Sequence, residues 1–129
     1  MTDRVIRVVA AVIQNNKRFL IGQRPTHKRH GGLWEFPGGK LLPNESLFDA
    51  AKRELDEELG VKVIGIGDVL YSDQDDGSPF VIEFVETQIT GEPKPLEHSD
   101  LEWVTLAGLS KKQLAPTDAK FVSKHLLRN

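Results

Sequence analysis

Residues 46–60 read SLFDAAKRELDEELG, and most of what the chain is built for can be worked out from them. The run predicts a helix. Ser46 with Asp49 three residues on makes a capping box, no proline interrupts the run, and Gly60 sits where a left-handed residue would end it. At about 100° per residue, Leu47, Phe48, Ala51, Leu55 and Leu59 fall on one arc, the stripe expected to face a core. Glu54, Glu57 and Glu58 share the adjoining edge, because residues three and four apart are neighbours on a helix. Asp49, Lys52 and Asp56 fall on the far side, where Asp49 with Arg53 and Lys52 with Asp56 are spaced as surface ion pairs. Like charges at this spacing cost a few tenths of a kcal/mol each, more when desolvated. The helix dipole also disfavours anions near a C-terminal end. The crowding calls for a cation, and an oxygen-only donor set suits a hard divalent ion, Mg2+ or Mn2+. A solvated acidic face is the other reading that these three residues leave open.

Outward from the helix, VIRVVAAVI at 5–13 is almost continuously apolar and β-branched, as in a strand buried on both faces. The turn QNNKR and the return FLIGQR predict a hairpin over residues 4–24. PTHKRHGG at 25–32 is a basic, glycine-ended loop, and LWEF is a short strand stopped by PGG. Beyond the helix, VKVIGIG, VLYS and FVIEFVETQI read as three strands, GEPKPLEHSD as an irregular loop, and LEWVTL as a last strand. Phe121, Val122 and Leu126 at helical spacing predict a closing helix over 117–127. The expected fold is one α/β (α+β) domain over residues 1–129, a mixed sheet between helices.

Composition narrows the function. The chain has 129 residues, is 39% hydrophobic and 28% charged, and contains no stretch near the roughly 20 apolar residues of a membrane helix, so no membrane partner is expected. It has no cysteine, which removes disulfides, thiolate metal sites and a cysteine nucleophile and accords with a reducing cytoplasm, the location expected. A net charge of -2 offers no bulk attraction to nucleic acid, so no stable nucleic-acid partner is expected and a phosphate-bearing ligand must be met locally. Nothing in the chain indicates oligomeric state, and a monomer is compatible with it.

Gly39, Glu45, Arg53-Glu54-Leu55, Glu57-Glu58 and Gly60-Val61 together match every defined position of the Nudix box, so the segment 39–61 resembles the signature of the Nudix hydrolases. The resemblance implies an α/β/α sandwich and a divalent-metal-dependent hydrolysis of nucleoside diphosphates linked to another group. It also implies roles, position by position. Glu54, Glu57 and Glu58 look like metal ligands, with the Gly38 carbonyl a further one. Arg53 looks like the residue that orients a glutamate, Glu45 like a support for the loop, and Gly39 and Lys40 like groups that meet phosphates. Outside the box, GLWEFPGGK, Arg24, LEHSDLEWV and LAPTDAKFV are similar to segments of the MutT-like branch, which acts on nucleoside triphosphates such as 8-oxo-dGTP. Glu97 falls where that branch carries an additional glutamate, a further ligand or general base. There the water attacks the β phosphorus and releases pyrophosphate and a nucleoside monophosphate.

Asp118, in APTD, stands where MutT-like proteins place an asparagine or aspartate that reads the base edge. An ionised aspartate only accepts, which favours an exposed amino group such as cytosine N4; a buried, protonated one again suits 8-oxoguanine. A helix N-cap is its structural alternative. Phe36, Trp34 and Phe80 are stacking candidates, and the four histidines, with no metal-like spacing, read as surface or loop residues, His98 alone lying beside a site residue. The competing functions are a CTP or other pyrimidine triphosphate pyrophosphohydrolase and, from another class, a non-catalytic base-reading module of the kind that WEFPGG-type domains form in adenine DNA glycosylases.

Overall fold

The computed structural model describes residues 4–127. Strand β1 (Ile6–Val12) lies at the centre of a four-stranded sheet, paired in parallel with β7 (Phe80–Thr90) and antiparallel with β5 (Gly38–Lys40); β6 (Lys62–Gln74) forms the far edge beside β7. A second sheet is centred on β3 (Arg18–Gln23), which pairs with β2 (Gln14–Asn15), β4 (Trp34–Glu35) and β8 (Asp100–Thr105). Helix α1 (Leu47–Leu59) packs on one side; α2 (Leu106–Leu109), α3 (Pro116–Phe121) and a π-helical turn over Val122–Leu126 lie on the other.

The apolar run of β1, broken only by Arg7, has a simple cause. Val9, Ala11 and Ile13 join one core cluster with Ala51, Leu55 and Leu59 of α1, while Ala10 and Val12 join a second with Phe84, Leu109 and Phe121. A strand covered on both faces needs no polar alternation. The second core is aromatic. Phe36 meets Phe19, Phe84 and Phe121 edge to face at 5.3 to 6.5 Å, and Phe84 stacks on Phe121 at 4.4 Å. Such pairs add about 0.5–1.5 kcal/mol each beyond area burial.

Two strand expectations are corrected. Residues 4–24 are not one hairpin: Asn16 and Lys17 take positive φ of 50° and 64° and close a short turn between β2 and β3, whereas β1 stays in the other sheet. Pairing with β7 covers β1 along its whole length, which a local hairpin partner would forfeit. VKVIGIG and VLYS are not two strands but one, β6, in which register shifts between Val63 and Gly65, Ile66 and Val69, and Val69 and Tyr71 absorb the apparent break. The PGG that was expected only to stop a strand supplies the glycines of β5.

Candidate active site

Helix α1 begins at Ser46, whose hydroxyl accepts from the Asp49 N–H at 3.0 Å, and ends at Gly60 with φ 68°. Ala50, Ala51, Leu55, Glu58 and Leu59 are buried on it. Glu58 therefore lies inside the core-facing arc, Glu54 at its margin, and Glu57 is exposed on the solvent side, in a shallow depression with Asp49, Lys52 and Asp56. The edge expected for the three glutamates thus spans about 100°, from buried Glu58 through Glu54 to exposed Glu57.

Two loops complete the surroundings. Lys94 and Leu96 donate their N–H groups to the Leu59 and Glu58 carbonyls at 2.9 and 3.1 Å, satisfying the end of α1 and bringing exposed Glu97 beside Glu54 and Glu58. On the opposite wall, Gly38 and Gly39 pair with Ala10 and Val9 of β1. A Cβ on Gly39 would collide with the Glu54 carboxylate, and one on Gly38 with the Val9 carbonyl, so the glycines allow helix and strand to close on each other.

Arg53 does not pair with Asp49. Its Nη1 donates to Glu54 Oε1 at 2.7 Å, its Nε and Nη2 reach Glu45 at 3.0 and 2.8 Å, and Nη2 also reaches the Lys40 carbonyl at 3.0 Å. The guanidinium holds the Glu45 carboxyl down at about 2, and the two glutamates raise the Arg53 pKa in turn. Glu58 shifts the other way, to about 10. Burial is the main cause, followed by a hydrogen bond with Glu54 and the charges of Glu35, Glu54 and Glu97.

Among the described residues no group of three His, Asp or Glu side chains is gathered as a ready-made metal cage. A divalent ion nevertheless fits the donor set. Glu54, Glu58 and Glu97 line one pocket with Glu35, and every group there able to ligate a metal is an oxygen save His98. An ion seated there would offset the repulsion among these carboxylates, which adds to burial in raising the Glu58 pKa.

Beside this carboxylate pocket lies a second cavity lined by Val8, Ala10, Phe36, Phe80, Ala115 and Asp118. The two share Arg24, Glu35, Gly38, Gly39 and Lys40 and so form one continuous groove. Asp118 is buried, and its Oδ2 accepts from the Phe36 N–H at 2.9 Å. It is not the N-cap of α3: Ala115 is, with no side-chain cap bond. Burial, with Glu35 and Asp75 adding repulsion, pushes the Asp118 carboxyl well above its ordinary value. Phe36 lines the cavity from within the aromatic core; Trp34 is buried under Lys112, whose Nζ lies 4.2 Å from the ring centroid, and Phe80 stands at the rim with Lys40 Nζ 4.9 Å from its centroid. Of the three aromatic candidates, Trp34 is outside the groove.

Sequence reasoning passed over Glu35 and Asp75. Glu35 accepts from Arg24 Nη1 and pairs with His98 Nε2, both at 2.9 Å, at the junction of the two cavities. Its signal was visible, a lone acid inside WEFP, a run otherwise apolar. His98 is buried rather than a surface residue, seated against Gly22, where a Cβ would fall 2.6 Å from its ring. Asp75 is buried although it lies in a polar turn, and nothing in DQDDGSP marked it from its neighbours.

The NUDIX domain model matches residues 4–125. The chain is 36% identical over 118 residues to the CTP pyrophosphohydrolase of Escherichia coli, covering 89% of this chain and 87% of that one. It is 30% identical over 131 residues to an 8-oxo-dGTP diphosphatase of Haemophilus influenzae, covering 98% and 95%. The crystal structure of a MutT NUDIX hydrolase from Burkholderia pseudomallei superimposes with a TM-score of 0.81 at 25% identity, over 93% of this chain and 97% of that one. With a helix of crowded glutamates closed over two glycines, and a family match along nearly its whole length, the chain belongs to the NUDIX family.

Proposed function

We propose that the protein is a Mg2+-dependent nucleoside triphosphate pyrophosphohydrolase acting on damaged or non-canonical nucleotides such as 8-oxo-dGTP. The observation that carries this reading is the continuous groove, with carboxylates at one end, a base-sized aromatic cavity at the other, and Arg24 and Lys40 between them. Glu54, Glu58, Glu97 and the Gly38 carbonyl would hold the ion, Glu57 joining from the exposed side of α1. Mn2+ would serve with the same oxygens. A bound divalent ion neutralises phosphate charge and lowers the pKa of a coordinated water. The chain's own residues do the rest. Arg53 fixes Glu54, Arg24 and Lys40 meet phosphate oxygens, Gly39 lets the backbone approach them, and Glu97 or Glu54 accepts the proton of the attacking water. Burial favours the neutral form of Asp118, and a protonated carboxyl there would donate and accept at once, which suits the O6 and N7-H edge of 8-oxoguanine.

A pyrimidine reading, CTP hydrolysis, draws support from the relative of that name. Pyrophosphate release from 8-oxo-dGTP, dGTP, CTP and 5-methyl-dCTP in the presence of Mg2+ separates the two. Preferred turnover of 8-oxo-dGTP is the expected result; preferred turnover of CTP would replace it with the second reading, and no turnover on any would leave the non-catalytic module.

A further inference from the structure

Asp75 is the most thoroughly engaged carboxylate in the molecule that the chemistry above does not use. It is 5% exposed, at the start of the β6–β7 connection. Its Oδ1 accepts from the Thr117 hydroxyl at 2.8 Å, the residue next to Asp118. Its Oδ2 meets Arg29 Nη2 at 2.9 Å and His30 Nε2 at 3.4 Å. One side chain thus joins three segments, and Arg29, His30, Asp75 and Asp118 all line the base cavity.

The loop that carries Arg29 and His30 is held from its other side as well. Arg24 Nε donates to the Arg29 carbonyl, and the Arg24 N–H donates to the Leu33 carbonyl at 2.9 Å. Arg29 spends Nε on His30 and Nη2 on Asp75, leaving the N–H groups of Nη1 for a ligand. A buried anion facing an arginine that is 43% exposed is an anchor for that arginine, since the guanidinium alone would wander in solvent.

We propose that Asp75 is a specificity-determining positioning residue, holding Arg29 as a fixed donor beside Asp118 that selects nucleobases with a carbonyl on that edge, guanine and uracil types, over adenine. Donors fixed next to a carboxyl complement a base edge where a carbonyl oxygen adjoins a ring N–H. Adenine presents an amino group there, a donor facing the Arg29 donors, and so loses the hydrogen bond that a carbonyl would accept. The inference deepens the function proposed above and rests on that cavity receiving the base.

Calorimetric titration of the whole protein with GMP, UMP and AMP tests it through binding alone. A protein that binds them selectively yet hydrolyses no triphosphate would sink the proposed activity and leave this inference standing. The wild type should bind GMP and UMP at least tenfold more tightly than AMP. Asp75→Asn, which keeps an acceptor for Thr117 but releases Arg29, should weaken GMP and UMP about tenfold and AMP less than threefold. Arg29→Gln, on an exposed side chain, should do the same even if the Asp75 variant fails to fold. The double variant should lose no more than Arg29→Gln alone, because Asp75 acts through Arg29. Equal affinities in the wild type, equal losses across the nucleotides, or additive losses in the double variant would each overturn the assignment.

Discussion

Arg53 Nη1 lies 2.7 Å from Glu54 Oε1 while its Nη2 lies 2.8 Å from Glu45 Oε1, so one planar guanidinium ties two glutamates nine residues apart in the chain into a fixed pair. The consequence is orientation. A lysine offers a point charge and cannot span both carboxylates. Arg53→Lys is predicted to lower kcat by about 10- to 100-fold, the usual effect of losing a group that orients a metal ligand, with little change in melting temperature. A lysine variant with wild-type kcat would remove the orienting role.

Glu58 makes the stability of the metal-free protein depend on pH in an unusual direction. Its folded carboxyl titrates at about 10 against an ordinary 4.5, so the folded state holds the extra proton between those values. The stabilisation is complete below about pH 4.5 and is lost as pH rises toward 10, by at most about 1.4 kcal/mol per unit. In chelator, the melting temperature is predicted to fall from pH 6 to pH 9, and Glu58→Gln should flatten the slope. Divalent ion should raise the wild-type melting temperature at pH 9 and not that of the variant. Identical pH profiles for the two proteins would contradict the assignment.

Asp118 combines a structural and a reading role that two substitutions can separate. Asparagine retains an oxygen for the Phe36 N–H and carries no charge, so Asp118→Asn should fold within about 1 kcal/mol of the wild type while altering base preference in the triphosphate panel. Asp118→Ala leaves that buried N–H without a partner and should cost about 1–3 kcal/mol in chemical denaturation. Equal stability of the two variants would mean that the Phe36 bond contributes nothing.

Gly38 and Gly39 are adjacent yet should fail differently. A Cβ at 39 meets the far end of the Glu54 side chain, which can swing aside; a Cβ at 38 meets the Val9 main chain, which cannot. Gly39→Ala is predicted to lose at least tenfold in kcat with a nearly unchanged melting temperature. Gly38→Ala should lower the melting temperature by several degrees, because it forces β5 off β1. Calorimetric melting and initial rates on both variants decide the matter, and a reversed order would show that the strand yields before the carboxylate.

How much of this was legible in advance differs by element. The cap at Ser46, the stop at Gly60 and the apolar stripe of α1 are local properties of backbone and helical period, and they stand as the amino-acid order predicts. The two-sided burial of β1 over residues 9–12 was equally plain, because an apolar run without alternation has no solvent face. Strand partnership was not. β1 pairs with β7 across most of the chain, and no local pattern near residues 5–13 encodes a parallel partner at 80–90.

The site divides along the same line. Sequence alone determined that a capped helix carries crowded glutamates behind a pair of glycines within the Nudix pattern, since spacing and residue type suffice for that. Only the tertiary structure decided that Glu58 is buried while Glu57 is exposed, that Glu35 and His98 meet where the two cavities join, and that Asp75 reaches Arg29, His30 and Thr117. Burial and long-range pairing depend on which surfaces the strands bring together, and a carboxylate's charge state follows from that placement rather than from its neighbours in the chain.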